Sequence, residues 1–341
     1  MQKIYCDIGF LEKFTETFPV SISPIDSSIS KMKCYLNIFD LISRSAIEMN
    51  ISIRDFMLKI EKDQWLKTLW KKSTEGNCKL DFNENDFLEL FGDLENENEN
   101  ENETLNSIFL LGNQLESLRE KCEGHGLLVI DITEIENNNH LFIDQGSTID
   151  RSQTSRFIEN CWSVLNRARH KCNSMIIIDP YILSDPNNYN ANIYLILKKF
   201  LPNSLETEFH LTIITKSNTI NLQNKYGIID NYISQIRPNL SYSFNICGDN
   251  RFHDRLILTN YMLIKCGAGF SIYRRIRGEF RAQNPTDISI IYPKIQNSIQ
   301  YAEELYNTNI RLVNRSFNDI AIGNGNAQLF GSNTRNRLLS Q

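Results

Sequence analysis

The chain has 341 residues, 41 % apolar and 23 % charged, an ordinary globular composition with enough length for two domains. Its eight cysteines include no CxxC pair, which argues against a structural zinc site. The start lacks the pattern of a signal peptide, and no run reaches the 18 or so apolar residues of a membrane span. These features predict a cytoplasmic protein without a transmembrane segment.

Charge is distributed unevenly along the chain. Residues 1–148 carry 14 Lys/Arg and 27 Asp/Glu, a net charge of −13, whereas residues 149–341 carry 22 and 14, a net charge of +8. A basic second half is suited to phosphate-bearing molecules. The same asymmetry is also expected if the two halves dock on each other.

The first half alternates between strand-like and helix-like runs. We predict a domain over residues 1–135 that contains a solvated acidic loop at 94–103. Apolar patterning predicts its elements, namely strands at 3–8, 107–111 and 127–132 and helices at 11–18, 35–48, 52–72 and 114–123. Strand–helix–strand order with apolar strands is typical of a parallel, Rossmann-like layer.

The second half is predicted to begin after a polar linker at 136–152, to fold over 153–318 and to end in a flexible tail at 319–341. Its predicted helices cover 153–171, 193–200, 222–236 and 295–306. Its predicted strands cover 175–178, 210–215, 241–247, 255–259, 262–266 and 288–292. The fold class is therefore α/β, with two domains that each have a mixed or mostly parallel sheet flanked by helices.

The most informative segment is Arg251-Phe-His-Asp-Arg255, which precedes an apolar strand, with Asp179-Pro180-Tyr181 after an earlier strand. Together these segments resemble the phospholipase-D-like superfamily, most closely the C-terminal domain of MIT-domain proteins and prokaryotic relatives. In active members of that family a His-x-Lys motif supplies a nucleophilic histidine and a phosphate-stabilising lysine. The resemblance implies that His253 is catalytic and that residue 255 contacts phosphate.

Arg255 stands where the family's lysine is expected, and the chain has a single such motif where active members use two. Arginine can hold a phosphate bidentately, so the motif predicts phosphate binding more firmly than turnover. The simplest alternative is that His253 and Asp254 pair to hold the start of a strand. A homodimer that combines two copies of His253 would restore the family's mechanism.

A run of arginines follows the motif. The segment 273–281 interleaves arginines with Tyr273 and Phe280, and we predict that the arginines contact a nucleic-acid backbone while the aromatic faces stack on bases. The candidate binding residues are Arg274, Arg275, Arg277 and Arg281, with Arg311, Arg315, Arg335 and Arg337 as an extension. The alternative is an ordinary solvated loop.

The N-terminal strand ending at Asp7 resembles the opening of PIN-like ribonucleases. In that family the first strand delivers an aspartate to a Mg²⁺ or Mn²⁺ cluster at the carboxyl edge of a parallel sheet. The resemblance implies that Asp7 and Asp131 are catalytic, and that Asp7, Glu48, Asp86 and Asp131 are candidate metal ligands. An acid usual in the family is replaced here by Gly112-Asn113, and Asp7 would otherwise cap a helix.

Together these patterns predict a prokaryotic nucleic-acid-targeting protein of the toxin or antiviral-defence kind. It would be a candidate metal-dependent nuclease with a degenerate phospholipase-D-like domain that binds RNA or DNA. The alternative function is a non-catalytic adaptor that binds a partner protein or phosphoinositide headgroups through the basic half.

Overall fold

The computed structural model describes residues 2–17, 29–85, 87–91, 104–112, 115–137, 145–152, 154–168, 171–216, 222–296, 300–323, 327–332 and 334–340. The chain divides into two compact units. The N-terminal unit comprises Met1–Ile143 with Lys294–Ile299, and the C-terminal unit comprises Asp144–Pro293 with Gln300–Gln341. Both contain sheets flanked by helices, which confirms the predicted α/β class. Asp86 and the acidic repeat 94–103 lie outside the described residues.

The N-terminal unit contains a parallel sheet of five strands in the order β3-β2-β1-β4-β5. The strands are β1 (Lys3–Cys6), β2 (Ala46–Met49), β3 (Lys79–Phe82), β4 (Ile108–Leu111) and β5 (Leu128–Asp131). The helices are α1 (Ile8–Thr17), α2 (Ile29–Ser43), α3 (Ile53–Ile60), α4 (Gln64–Thr74), α5 (Glu116–Gly124) and α6 (Ile132–Asn137), with a 3₁₀ turn at Phe87–Phe91. All four residues of β4 are buried, as expected for a central parallel strand with both faces covered.

The single helix predicted over 52–72 is wrong, because Asp63 starts a second helix there. Its Oδ1 accepts hydrogen bonds from the backbone N–H groups of Trp65 (2.7 Å) and Leu66 (3.0 Å), which is an N-cap. The preceding helix α3 is capped in the same way, since Ser52 Oγ accepts from Asp55 N–H at 3.0 Å. Both acceptors belong to residue types that favour helix starts.

The strand order reverses direction beside β1. The chain steps from β1 to β2 and β3 on one side and then crosses to place β4 on the other. In open parallel sheets such a reversal leaves a crevice at the carboxyl ends of the two central strands. Asp7 follows β1 and Gly112 follows β4, so both lie at this reversal point.

The C-terminal unit is built on a mixed sheet of eight strands in the order β16-β10-β9-β8-β11-β12-β15-β6. Strands β8, β9 and β10 are parallel, and the remaining pairs are antiparallel. Its strands are β6 (Gln145–Ile149), β8 (Ser174–Ile178), β9 (Phe209–Thr215), β10 (Tyr242–Asp249), β11 (Leu256–Thr259), β12 (Leu263–Cys266), β15 (Thr286–Ile291) and β16 (Ala327–Gly331).

A smaller sheet joins β7 (Thr154–Ser155), β13 (Tyr273–Ile276) and β14 (Glu279–Ala282) in the order β13-β14-β7. The helices of this unit are α7 (Ile193–Phe200), α8 (Leu222–Ile236) and α9 (Gln300–Ala321). The predictions of helices at 193–200 and 222–236 are confirmed. The final helix, predicted at 295–306, instead begins at Gln300 and continues for 22 residues.

Three predictions for the C-terminal unit are wrong. Within the predicted helix 153–171, the described residues form β7 and 3₁₀ turns at Ile158–Asn160 and Ser163–Arg167. Trp162, with a φ of 59°, has a left-handed backbone that an α-helix cannot accommodate. The predicted linker contains β6, which pairs with β15. The predicted flexible tail contains β16, which pairs with β10. Apolar periodicity wrongly predicted the helix at 153–171, and polar composition wrongly predicted the linker and the flexible tail.

Candidate functional site

At the reversal point of the N-terminal sheet, Asp7 is buried and hydrogen-bonded. Its Oδ1 accepts from Asn50 Nδ2 at 2.7 Å and its Oδ2 from Gly112 N–H at 3.2 Å. Asn50 Oδ1 in turn accepts from Ile8 N–H at 2.9 Å. A Cβ at Gly112 would lie 2.6 Å from Asp7 Oδ2, so only glycine allows this approach. The carboxylate therefore ties the end of β1 to the ends of β2 and β4.

The other two described candidate metal ligands of this unit are also engaged. Glu48 forms an ion pair with Lys3 (2.7 Å) and accepts from Asn83 Nδ2 (3.0 Å). Asp131 forms an ion pair with Arg119 (2.5 Å) and accepts from Thr133 Oγ1 (2.5 Å). We call Asp7, Glu48 and Asp131 the acidic edge.

The acidic edge does not fit a divalent metal ion. Asp7 and Asp131 lie two strands apart, roughly 10 Å at the usual strand spacing, because β4 separates β1 from β5. Among the described residues, no three Asp, Glu, His or Cys side chains form a group that could hold a metal ion. Each acid already has a cation or hydrogen-bond donor at its oxygens, so the arrangement is that of a structural network.

In the C-terminal unit the sequence motifs meet at one sheet edge. The parallel strands β8, β9 and β10 end there, and β11 begins there because it runs antiparallel to β8. Asp179 and Tyr181 follow β8, Lys216 follows β9, and His253 and Arg255 lie in the loop between β10 and β11. We call the set Asp179, Tyr181, Lys216, His253 and Arg255 the basic edge.

Asp179 connects two loops of this edge through hydrogen bonds. It is buried, and its Oδ1 and Oδ2 accept from the backbone N–H groups of Tyr181 (2.8 Å) and Phe270 (2.6 Å). Burial raises the pKa of Asp179, and the two N–H donors and the charge of Arg255 oppose that rise without cancelling it. A Cβ at Gly269 would meet Asp179 Oδ2 at 2.8 Å and Arg255 Cδ at 2.9 Å. With a φ of +89°, Gly269 is required on both counts.

Two cations flank Tyr181. Lys216 Nζ donates to the tyrosine hydroxyl at 2.9 Å, and this bond lowers the pKa of Tyr181. Arg255 Cζ lies 5.9 Å from the centroid of the same ring. Arg255 NH1 donates to Gly267 O at 3.3 Å, whereas its Nε is buried and has no hydrogen-bond partner in the part of the chain that the structure describes. The guanidinium thus retains an unused donor.

His253 is exposed, and its loop is held at both ends. Asp254 accepts from Asn309 Nδ2 of α9 at 3.1 Å, so the alternative in which it pairs with His253 is wrong for the described structure. At the other end, Arg251 contacts Asp249 (2.6 Å) and Asp319 (2.6 Å). Burial raises the pKa of Asp249, but the hydrogen bonds from Arg251 outweigh it and the net shift is downward.

The arginine run forms a β-hairpin of β13 and β14, and its turn residues Arg277 (φ 50°) and Gly278 (φ 86°) both have positive φ, as a type I′ turn requires. Arg274 and Arg281 are paired directly across the hairpin and both are exposed, an arrangement of like charges that is unfavourable without an anion. Arg281 also forms an ion pair with Glu279 at 3.0 Å.

The hairpin aromatics do not fit the predicted stacking role. Tyr273 is buried and packs edge-on against Trp162 at 5.4 Å, and Phe280 is half-buried with Arg275 Cζ 5.9 Å from its ring centroid. Arg337 likewise does not extend the surface. It is buried and donates to Asn173 O (3.4 Å) and Glu208 O (3.2 Å) inside the unit.

An open cavity of about 650 Å³ lies elsewhere in the C-terminal unit. Four cations line it, namely Lys171, Lys198, Lys199 and Arg237. Arg237 donates to Leu201 O (2.9 Å) and Ile236 O (3.0 Å), so its guanidinium caps the carbonyl ends of α7 and α8. Helix carboxyl ends repel anions, and no residue of the basic edge lines this cavity.

Lys216 is the site residue that sequence reasoning missed. It is a single lysine after an apolar strand, 35 residues from Tyr181, and carries no motif. The available signal was topological, because consecutive parallel strands such as β8 and β9 place the residues after them side by side. Asn50 was missed for a similar reason, since its role appears only when β2 lies beside β1.

None of the described helices is both long and apolar enough to span a bilayer. All eight cysteines are buried and free of disulfide bonds. No protein-family model matches the chain, and neither does any curated protein. One solved structure that it is similar to is that of TrmBL2, an archaeal chromatin protein described as showing a novel mode of DNA binding, at 11 % identity and a TM-score of 0.23. The match covers 47 % of this chain and about half (51 %) of TrmBL2, and at this score it carries no argument.

Proposed function

We propose that the C-terminal unit binds the phosphate backbone of nucleic acid at the basic edge. The observation that carries the proposal is the guanidinium of Arg255, which is half-buried at this edge and makes one hydrogen bond among the described residues, from NH1 to Gly267 O. Its NH2 group makes no hydrogen bond among the described residues and is left for a ligand oxygen. A phosphate oxygen is the acceptor that a guanidinium recognises best.

The surroundings of Arg255 support an anionic ligand of some length. Lys216 supplies a second cation next to Tyr181, and the half of the chain that contains the edge has a net charge of +8. Tyr273 comes four positions after Gly269, so the arginine hairpin begins within about 14 Å of the edge. A polyanion that lies on the edge can therefore reach Arg274 and Arg281.

The proposal concerns binding. His253 is exposed beside Arg255, and cleavage through it requires the second motif that a homodimer would supply. Cleavage by a metal ion at the acidic edge has little support, because the oxygens of Asp7, Glu48 and Asp131 already accept from protein donors. The eight free cysteines are those of a reducing compartment, so we place this activity in the cytoplasm.

The test is fluorescence anisotropy with labelled 20-nucleotide RNA and DNA and the full chain as wild type, Lys216→Ala and Arg255→Ala. We expect each variant to bind about tenfold more weakly, because each loses a charged hydrogen bond to phosphate. Lys67→Ala, which removes an exposed lysine on α4, is the charge-matched control. Unchanged affinity in both site variants would contradict the proposal. Gels run with Mn²⁺, Mg²⁺ or EDTA report any cleavage, and His253→Ala assigns it.

A further inference from the structure

Tyr181 is an exposed aromatic residue that is held in place. It is 46 % exposed, which is unusual for a ring that is fixed at both ends. Its backbone N–H donates to Asp179 Oδ1 at 2.8 Å, its carbonyl accepts from Ser184 N–H at 3.0 Å, and its hydroxyl accepts from Lys216 Nζ. A ring held in this way loses little conformational freedom when a ligand packs against it.

The surroundings of the ring match the two parts of a nucleotide. Lys216 Nζ lies 4.5 Å and Arg255 Cζ 5.9 Å from the ring centroid, so two cations are within about 6 Å of an exposed aromatic surface. A base can stack on the ring while its phosphate contacts either cation. Aromatic faces beside backbone-binding cations are the usual means of holding unpaired nucleotides.

The arginine hairpin offers no comparable surface. Tyr273 is only 6 % exposed and Phe280 is half-buried, whereas Tyr181 is 46 % exposed. A cation lies 5.9 Å from both the Phe280 and the Tyr181 ring, so exposure is what distinguishes the two rings. The hairpin therefore supplies charge, and charge alone binds single and double strands alike. Of these three rings that of Tyr181 is the most exposed, so it is the one that can favour unpaired bases.

We infer that Tyr181 is a stacking platform for an unpaired base, so that the basic edge takes single-stranded nucleic acid in preference to duplex. This inference rests on the proposed function and adds the class of nucleic acid to it. Bases within a duplex are stacked on one another and do not present a face to a side chain, whereas unpaired bases do.

The experiment compares a labelled 12-nucleotide single strand with a hairpin duplex of equal phosphate number, using the full chain. Tyr181→Phe keeps the ring and should retain the preference for the single strand. Tyr181→Leu removes the ring and should weaken single-strand binding at least fivefold more than duplex binding. Tyr301→Leu is the matched control, since Tyr301 of α9 is an exposed tyrosine whose ring centroid lies 5.6 Å from Lys265 Nζ. Circular dichroism confirms that each variant folds.

The outcomes separate the two proposals. Loss of single-strand preference in Tyr181→Leu but not in Tyr181→Phe or Tyr301→Leu supports the stacking platform. If the wild type binds both forms equally and Tyr181→Leu changes neither, the inference is overturned while phosphate binding stands. If the wild type binds neither form, both proposals fall.

Discussion

Both units place charged side chains at the carboxyl edge of parallel strands, yet the two edges differ in what their charges contact. In the N-terminal unit Asp7 lies between Asn50 and Gly112, and Asp131 faces Arg119. In the C-terminal unit Arg255 is half-buried, and its NH2 group makes no hydrogen bond in the described part of the chain. A charged side chain at a sheet edge is therefore not enough to indicate a binding site. The two edges differ in whether their side chains have hydrogen-bonding groups that the protein does not already use.

The same contrast exists within the C-terminal unit. Arg337 and Arg255 are both arginines close to the central strands of one sheet. Arg337 is 4 % exposed and donates to the backbone carbonyls of Asn173 and Glu208, whereas Arg255 is half-buried and donates only to Gly267 O among the described residues. The first arginine is a structural residue and the second a binding residue, although composition gives no means of telling them apart.

The largest expected effect tests that contrast. Arg337→Ala should lower the free energy of unfolding by about 3 kcal/mol or more, because buried carbonyls lose their charged donor. Arg255→Ala should change it by about 1 kcal/mol or less. Urea unfolding followed by circular dichroism measures both. Equal destabilisation by the two variants would contradict the assignment of Arg337 as a structural residue and Arg255 as a binding residue.

A second test concerns the acidic edge. Asp7→Ala should lower the free energy of unfolding by about 2–3 kcal/mol, because Gly112 N–H and the amide of Asn50 lose their acceptor. Mn²⁺ should leave the midpoint of wild-type unfolding unchanged, since the acids that the structure describes form no group that could hold a metal ion. Glu120→Ala, at an exposed acid of α5, serves as the control. A stabilisation by Mn²⁺ that Asp7→Ala abolishes would instead establish a metal site.

The third test concerns the pH dependence of stability at the opposite end of β9, where the expected effect is the smallest for a change of one pH unit. Burial lowers the pKa of His210 to about 3, and its Nδ1 accepts from Arg337 N–H at 3.0 Å, which requires the neutral ring. In the unfolded chain His210 binds a proton below about pH 6.5, whereas in the folded chain it does so only below about pH 3. The free energy of unfolding should therefore decrease as the pH is lowered from 6.5 to 3, by up to about 1.4 kcal/mol per pH unit. His210→Asn should reduce that slope. Identical slopes in wild type and His210→Asn would contradict this assignment.

Sequence patterns predicted the elements whose stability is local. The helices 193–200 and 222–236 and the buried strands of both sheets follow from apolar runs with clear ends. The structure of the tail could not be predicted from local patterns, because Asn336 is a residue type typical of loops. In the structure its amide donates to Met175 O (3.1 Å) and His210 O (3.2 Å). These contacts join residues more than 120 positions apart, and no local pattern encodes them.

The candidate site was partly predictable for the same reason. The sequence analysis selected the segments 179–181 and 251–255 together, and the structure places Arg255 Cζ 5.9 Å from the ring centroid of Tyr181. The network around Asp7 depends on Asn50 and Gly112, which lie 43 and 105 residues away. A carboxylate at a strand end looks the same in sequence whether a metal ion or the protein itself satisfies it.

The central claim is that the basic edge holds phosphate through Arg255. The most direct measurement is the dependence of nucleic-acid affinity on salt concentration for the wild type, Arg255→Ala and Lys67→Ala. Loss of one phosphate contact should reduce the slope of log K against log salt by about one, in Arg255→Ala only. Slopes that are the same in all three proteins would contradict the account.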